Sequence, residues 1–359
     1  MSTSPQRAAV IGAGFAGLAT AALLAREGYD VTVIEKLDTV GGRAGEETFA
    51  GFRFDMGPSW YLMPDAFDHF FALFGYRTEE LLDLVPLDPA YRLFPQGQAP
   101  IDVPRDPAQT TQLFESIEPG AGEALTEYLE SAQRTYDLAL RHFLYTTFSS
   151  PAAFLTPEVR AGYADLARFL TTPLDRFVAR RFRDTRLRQM LTYPAVFLSS
   201  HPSKTPALYH LMSHTDLTQG VRYPLGGFAA VVEAVYRIAR EQGVHFRMDT
   251  EVSAITFEDS RATGVQVGTE QLLFDVVVSA ADLHHTETRL LPPDRRTYDE
   301  PYFGKRDPGV SAVLVLCGVR GKLPQLDHHN LLFSREWDTD FDAVFAGPVT
   351  ERPVSYTHL

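Results

Sequence analysis

Three glycines near the amino terminus have the spacing of a phosphate-binding turn. Gly12, Gly14 and Gly17 follow an apolar run at residues 8–11 and precede the helix-forming residues 18–27. Gly12 permits a tight turn, Gly14 lets a pyrophosphate approach the backbone, and Gly17 lets the helix lie close to the strand. The first turn of that helix offers free N–H donors and a positive dipole end. The pattern therefore predicts a dinucleotide-binding strand–turn–helix unit.

An acidic residue ends the second strand of this unit. Glu35 follows the apolar run 31–34 and lies eighteen residues after Gly17. A carboxylate there can accept hydrogen bonds from ribose hydroxyls and would repel a 2′-phosphate. The alternative is a coincidental glycine-rich turn, but strand, glycines, helix and acid occur together, which favours dinucleotide binding.

A second glycine-rich segment, GGRAG at residues 41–45, follows the second strand. Its glycine pair lets the chain pass close to a cofactor, and Arg43 can address a phosphate or hold the loop beside a flavin. The alternative is that Arg43 is a solvated loop charge, which leaves its glycine neighbours unexplained.

These motifs together resemble those of a known family. GAGFAGL, GGRAG and GFRFDMGPSWYLMPD are similar to the amine-oxidase-like flavoproteins and, within them, to the bacterial phytoene desaturases of carotenoid synthesis. PLGGFAAVVEAV, TEVSAI and VVVSAADLHHTETRLLP follow in the family's order, so the resemblance covers residues 7 to about 345. It implies FAD as the cofactor, with the backbone at Val252 near adenine. The residues that we expect to bind FAD are Gly12, Ala13, Gly14, Phe15, Ala16, Gly17, Glu35, Lys36, Gly42, Arg43, Gly57, Pro58, Ser59 and Val252.

The expected fold is α/β with two discontinuous domains. The apolar run 276–281 predicts a further strand of the dinucleotide-binding sheet after a long excursion. Residues 1–75 and 223–285 then form a Rossmann-like FAD-binding domain. Residues 76–222 and 286–359 form an α+β substrate and membrane-associated domain, with a mixed sheet and a helical insertion. Within it, short strands are expected at 91–94 and 99–103, and helices over 109–144 with a break near 118–120.

The resemblance implies an FAD-dependent oxidoreductase that introduces double bonds into phytoene or a related long polyene. FAD would take a hydride at flavin N5, because protein side chains do not accept two electrons. No spacing singles out a proton acceptor, so no catalytic residue is assigned. The alternatives are a polyene isomerase or saturase, an amine oxidase, and a non-catalytic flavin-binding or carotenoid-carrying protein.

Composition argues against several other classes of function. The net charge of −13 disfavours a nucleic-acid partner. His210 and His214 are four residues apart, but no glutamate follows His210 and no third ligand is placed, so we expect no metal. Cys317 is the single cysteine, which excludes an internal disulfide, and its apolar neighbours at 313–316 predict a thiol buried in a strand.

Residues 141–188 combine aromatic side chains with a run of arginines that stands out in an acidic chain. One interpretation is a solvated helix face with intrahelical ion pairs. The other is a surface that attaches to anionic lipid, which would place the protein in the cytoplasm at the bacterial cell membrane, without a spanning helix. Family members continue further at the carboxyl end, so we expect a second flavin-contacting segment to be missing and residues 353–359 to be unrelated to the family.

Overall fold

A computed structural model describes residues 5–345 and 356–358. The chain forms two compact units, each built from separate stretches. Unit 1 contains residues 1–84, 223–308 and 314–318, and unit 2 contains residues 85–222, 309–313 and 319–359. The sequence analysis assigns residues 1–75 and 223–285 to FAD binding and the remaining residues to the substrate. This assignment of domains stays a prediction.

The strands are β1 (Arg7–Ile11), β2 (Asp30–Ile34), β3 (Glu46–Phe49), β4 (Phe52–Asp55), β5 (Leu84–Pro86), β6 (Tyr91–Pro95), β7 (Ile101–Val103), β8 (Arg222–Pro224), β9 (His245–Arg247), β10 (Val252–Glu258), β11 (Arg261–Val267), β12 (Glu270–Leu273), β13 (Val276–Ser279), β14 (His329–Phe333) and β15 (Tyr356–His358).

The α-helices are α1 (Phe15–Arg26), α2 (Pro64–Ala72), α3 (Thr78–Leu81), α4 (Pro107–Ile117), α5 (Ala121–His142), α6 (Pro157–Ala161), α7 (Tyr163–Thr171), α8 (Leu174–Ala179), α9 (Thr185–Thr192), α10 (Met212–Leu217), α11 (Phe228–Glu241), α12 (Leu283–His285), α13 (Glu300–Phe303) and α14 (Trp337–Phe345). Short 3₁₀ or π turns lie at Gly42–Ala44, Pro151–Leu155, Tyr193–Leu198, Ala207–Leu211, Thr286–Leu290 and Pro293–Arg295.

A parallel four-stranded sheet in the order β13-β1-β2-β9 forms the centre of unit 1. Val10 of β1 lies opposite Val33 of β2 and Val278 of β13. The apolar runs at these positions indicate strands buried on both faces, as in parallel sheets. The predicted third strand of the dinucleotide-binding sheet is therefore confirmed as β13.

The two faces of this sheet are covered by different layers. Val10 and Val33 pack with α1 and α11 in one apolar cluster. Ile11 and Ile34 point to the other side, into a cluster with side chains from β10 and β11. This alternation follows from the period of two along a strand. The second layer is an antiparallel sheet of β10, β11 and β12.

Unit 2 combines a small mixed sheet with helices. β6 pairs antiparallel with β7 and parallel with β14, and β14 pairs antiparallel with β15. The strands expected near 91–94 and 99–103 are thus confirmed. The helical segment after residue 107 breaks where expected, because Gly120 adopts a positive φ of 84° between α4 and α5.

The prediction for Cys317 is wrong. Residues 313–317 form no regular strand, and the Cys317 side chain is exposed. Val313 and Val315 are 90% and 72% exposed. An apolar run becomes buried only where another layer of the protein covers it. Among the described residues, no strand pairs with residues 313–317. Among the helices of residues 5–345, none combines the length and apolar content needed to span a bilayer.

Candidate cofactor site

The glycine turn after β1 is held in a close approach to the first helix. Gly12 has a φ of +99°, and its N–H donates to the carbonyl of Ile34 at 2.9 Å. A Cβ on Gly17 would lie 1.9 Å from the Gly12 carbonyl oxygen. Only glycine fits there, because helix and turn are in backbone contact. Helix α1 begins at Phe15, three residues before the predicted start, so Gly17 belongs to its first turn.

Gly14 stands at the amino end of α1 and faces open space. It is the residue before the helix, in extended conformation, and no side chain caps the helix there. Leu18 makes the first intrahelical bond, to the Gly14 carbonyl at 2.9 Å, so the three preceding N–H groups point out of the helix. A Cβ on Gly14 would meet nothing within 4 Å. A phosphate can therefore approach these donors directly.

The carboxylate of Glu35 joins the end of β2 to the glycine turn. Oε2 accepts from the N–H of Ala13 at 2.7 Å, and Oε1 accepts from the N–H of Leu37 at 3.0 Å. The residue is only 8% exposed, yet it lines the cavity described below. Each oxygen keeps a second lone pair. The side chain can therefore hold the turn and also accept a ribose hydroxyl.

The second glycine-rich loop lies against the first. Gly41 has a φ of +110°, and its N–H donates to the Ala13 carbonyl at 2.8 Å. A Cβ on Gly42 would lie 3.3 Å from the Cα of Gly14, and one on Gly57 would lie 2.2 Å from the carbonyl oxygen of Arg43. These glycines permit three backbone segments to pack together. Within residues 5–345, the exposed Arg43 side chain forms no ion pair.

The segment between β9 and β10 lies beside the residues that follow β2. The N–H of Asp249 donates to the Leu37 carbonyl at 3.0 Å, and that of Thr250 to the Glu35 carbonyl at 2.8 Å. These bonds place Val252 at the start of β10, beside the end of β2. Val252 is buried and contributes to the cavity wall.

These segments surround a cavity of about 770 Å³ within unit 1. It lies at the carboxyl ends of β1, β2 and β13, where open α/β sheets bind dinucleotides. Its size is within the range of cofactor pockets. Open space at Gly14, outward N–H groups on α1 and the Glu35 carboxylate match the phosphate and ribose groups of FAD. The residues present therefore fit the cofactor.

The structure divides the predicted binding residues into two groups. The cavity is lined by Gly12, Gly14, Phe15, Ala16, Glu35, Lys36, Gly42, Arg43, Pro58 and Val252. Ala13, Gly17, Gly57 and Ser59 are not among the lining residues; the first three shape the backbone beside it.

Sequence reasoning missed part of the lining. Thr250, His285 and Leu290 line the cavity, together with Ala280, Ala281 and Asp282 of the loop after β13. No residue of that loop is among those that the sequence predicts to bind FAD. The rule that ligands bind at the carboxyl ends of parallel strands could have identified it.

The largest displacements of carboxyl and imidazole pKa values lie in unit 2. Burial raises the pKa of Asp216 to about 7, although its Oδ2 accepts from Tyr91 at 3.0 Å and Tyr193 at 2.8 Å. Burial lowers the pKa of His210 to about 4. The His210 ring packs against the rings of Phe169, Tyr128 and Phe177. Within residues 5–345 and 356–358, no group of three His, Cys, Asp or Glu residues is placed to hold a metal.

The parallel sheet, the glycine turn and the acid at the end of β2 define a dinucleotide-binding oxidoreductase unit. The family model for flavin containing amine oxidoreductases matches residues 15–316. The chain belongs to this family of FAD-dependent oxidoreductases, and FAD is its cofactor.

Relatives within the family carry more specific names. The chain is 40% identical to a carotenoid 3,4-desaturase of Haloarcula japonica, over 94% of this chain and 68% of that protein. It is 32% identical to a zeta-carotene-forming phytoene desaturase of Myxococcus xanthus, over 99% of this chain and 68% of that protein. A solved putrescine oxidase variant shares the fold, with a TM-score of 0.53, 19% identity, and coverage of 81% of this chain and 61% of that one.

Proposed function

We propose that the protein is an FAD-dependent desaturase that introduces double bonds into carotenoid-type polyenes. The observation that carries the proposal is the identity of 40% with a carotenoid 3,4-desaturase over nearly the whole chain. The cofactor cavity supports it, because removing two hydrogens from adjacent carbons requires a two-electron acceptor. When bound, FAD supplies that acceptor.

The chain's own residues bind and orient the cofactor. We expect the outward N–H groups at the start of α1 and the exposed Arg43 guanidinium to neutralise a pyrophosphate. We expect Glu35 to accept from a ribose hydroxyl, and the backbone at Val252 to border adenine. Close backbone packing at Gly17 and Gly57 keeps these groups in fixed positions, which reduces the ordering cost on binding.

A single-turnover reaction tests this function. Flavin-loaded protein is mixed anaerobically with phytoene in detergent micelles, with putrescine as the polar comparison substrate. Loss of the oxidised flavin absorption, with the longer-wavelength bands of an extended polyene, is the expected result. Wild-type protein from which FAD has been removed serves as the cofactor-free control. An unchanged spectrum with phytoene, or flavin reduction by putrescine alone, would contradict the proposal.

We also propose peripheral attachment to the cytoplasmic face of the cell membrane, through the surface around residues 144–170 of unit 2. Large apolar side chains are exposed there: Leu144 (45%), Tyr145 (53%), Phe148 (56%), Leu155 (61%) and Leu170 (51%). Apolar side chains in such numbers favour transfer into a lipid headgroup region. Within the nearby arginine run, Arg186 pairs with Asp184. Arg176, Arg180 and Arg183 are exposed and available to anionic lipid.

Vesicle flotation tests this attachment. The double variant Phe148→Ser, Leu155→Ser should lose most binding to vesicles containing phosphatidylglycerol, while keeping its FAD absorption. Phe49→Ser removes an aromatic that is 72% exposed in unit 1 and is the matched control. Equal flotation of the double variant and the wild type would refute the proposal.

A further inference from the structure

A second cavity, of about 630 Å³, lies wholly within unit 2. It is enclosed by α5, the turn Pro151–Leu155, α6, α7 and the turn Ala207–Leu211. Its apolar lining consists of Leu138, Ala139, Phe143, Phe148, Phe154, Leu166, Phe169, Leu170 and Leu208. Its volume is within the range of small-molecule sites.

Aromatic rings form one wall of this cavity. Phe143 contacts Phe154 with 5.1 Å between ring centroids and stacks on Phe148 at 6.3 Å and 11°. Phe148 and Phe154 are 56% and 39% exposed, so this wall continues to the surface. An aromatic wall open on one side allows an apolar ligand to enter without unfolding the helices.

Several polar groups of the lining have their partners within the protein. The Ser131 hydroxyl is bonded to Nε2 of His210 at 3.0 Å, and the Thr135 hydroxyl donates to the Ser131 carbonyl at 2.8 Å. Arg141 pairs with Glu158 at 2.6 Å. These groups need no hydrogen bond from a ligand, so an apolar ligand leaves none of them unpaired.

The charges of the lining also disfavour an anion. Arg134, Arg141 and Arg168 are balanced by an equal number of carboxylates, Asp137, Glu158 and Asp165. Arg168 pairs with Asp165 at 2.9 Å. A fatty acid would need a cation for its carboxylate, but two of the three arginines, Arg141 and Arg168, already pair with lining carboxylates. A neutral hydrocarbon requires no cation.

We propose that this cavity is a binding site for a neutral, elongated hydrocarbon, taken up through the exposed aromatic mouth. This proposal rests on the proposed function only for the class of natural ligand, a polyene chain. Binding itself is a property of unit 2, which can be measured without turnover. Affinity comes from apolar area removed from water.

Fluorescence of diphenylhexatriene, a neutral rod-shaped polyene, tests the proposal on the flavin-loaded protein. The wild type should bind this probe saturably. Ala139→Trp and, from the opposite wall, Leu208→Trp fill the cavity and should weaken binding at least about tenfold. Ala164→Trp adds the same ring on the exposed, non-lining face of α7 and should bind as the wild type does. Flavin absorption and circular dichroism verify that each variant is folded.

Parinaric acid, a polyene with a carboxylate, provides the test of ligand class. Tighter binding of parinaric acid than of diphenylhexatriene would overturn the neutral-ligand assignment. Unchanged probe binding in both filled variants would overturn the site. Turnover is measured separately: probe binding without phytoene desaturation rejects only the proposed function, and desaturation at the wild-type rate in both filled variants rejects only this cavity's role.

Discussion

The carboxylate of Glu35 accepts a hydrogen bond from the backbone N–H of Ala13, with 2.7 Å between Oε2 and the nitrogen. Its other oxygen accepts from Leu37 at 3.0 Å. One side chain therefore joins the end of β2 to the glycine turn and to the segment that follows. Both contacts are charge-assisted, and such bonds contribute more than neutral ones. The acid is thus a structural part of the turn as well as a candidate ribose acceptor.

Replacing this acid tests the dual role. Glu35→Gln retains one acceptor oxygen, so one of the two N–H groups loses its partner. Loss of a hydrogen bond to a charged group costs about 1.5–3 kcal/mol. We expect the Kd for FAD to rise about 10- to 100-fold, measured by quenching of flavin fluorescence. Asp38→Asn changes a nearby exposed acid outside the cavity and should leave the Kd unchanged. Wild-type affinity in Glu35→Gln would refute this role.

Alanine at Gly14 should weaken FAD binding, whereas alanine at Gly17 should lower the stability of the protein. A methyl on Gly14 meets no protein atom within 4 Å and needs no positive φ, so Gly14→Ala should keep the wild-type Tm. It occupies the space open to the cofactor, and overpacking of about 1–3 kcal/mol predicts roughly 10- to 100-fold weaker FAD binding. Flavin titration combined with cofactor-free thermal unfolding measures both quantities. Tight FAD binding by Gly14→Ala would place the pyrophosphate elsewhere.

Gly17→Ala should instead destabilise the cofactor-free protein. The added methyl would lie 1.9 Å from the carbonyl oxygen of Gly12, so the backbone must shift. We expect a loss of about 3 kcal/mol in the free energy of unfolding, from urea denaturation without FAD. Gly14→Ala is the matched control, with the same added methyl three residues earlier in the chain. An equal urea midpoint for both variants would contradict the packing argument.

Much of the cofactor site could be predicted from sequence because its signals are local. Gly12, Gly14, Gly17 and Glu35 are read from one short stretch whose spacing reflects backbone geometry. His285 could not be found this way, since its place in the cavity depends on where the loop after β13 returns to the sheet.

Burial depends on contacts that a local sequence pattern does not contain. Cys317 lies in an apolar run like those of β1 and β13, yet it is exposed. An apolar pattern describes what a segment can bury and does not say which layer covers it. The hydrocarbon cavity likewise depends on Phe143, Phe154 and Leu208, which lie in separate elements, so no single periodic pattern reveals it.

Asp55 should stabilise unit 1 by capping a helix that is distant in sequence. Its Oδ1 accepts from the N–H of Phe228, the first residue of α11, at 2.7 Å, and its Oδ2 accepts from the Tyr223 hydroxyl at 2.8 Å. Burial and the Asp55 carboxylate raise the pKa of Tyr223. Asp55→Ala removes the acceptor of both hydrogen bonds, so we expect a loss of about 2–3 kcal/mol in urea unfolding. The exposed Glu47→Gln in the same hairpin should change nothing; a neutral Asp55→Ala would refute the cap.

Asp216 and His210 should give unit 2 two opposing dependences on pH. In the folded protein the pKa of Asp216 is raised to about 7, so stability from its protonated form is present at low pH and lost as pH rises through 7. The pKa of His210 is lowered to about 4, so stability from its neutral form is present above its usual value of 6.5 and lost as pH falls toward 4. Between about pH 4 and pH 6.5 the two contributions to the free energy of unfolding have opposite slopes and largely cancel in the wild type.

Single substitutions should expose each slope. Relative to the wild type, Asp216→Asn should gain about 4 kcal/mol in unfolding free energy between pH 4 and pH 7. His210→Gln should gain about 3 kcal/mol, relative to the wild type, as pH falls from 6.5 to 4. Urea unfolding at several pH values measures the slopes, which do not depend on the packing cost of each substitution because that cost is the same at every pH. If the unfolding free energies of the variants and the wild type changed in parallel with pH, burial would shift the pKa of neither Asp216 nor His210.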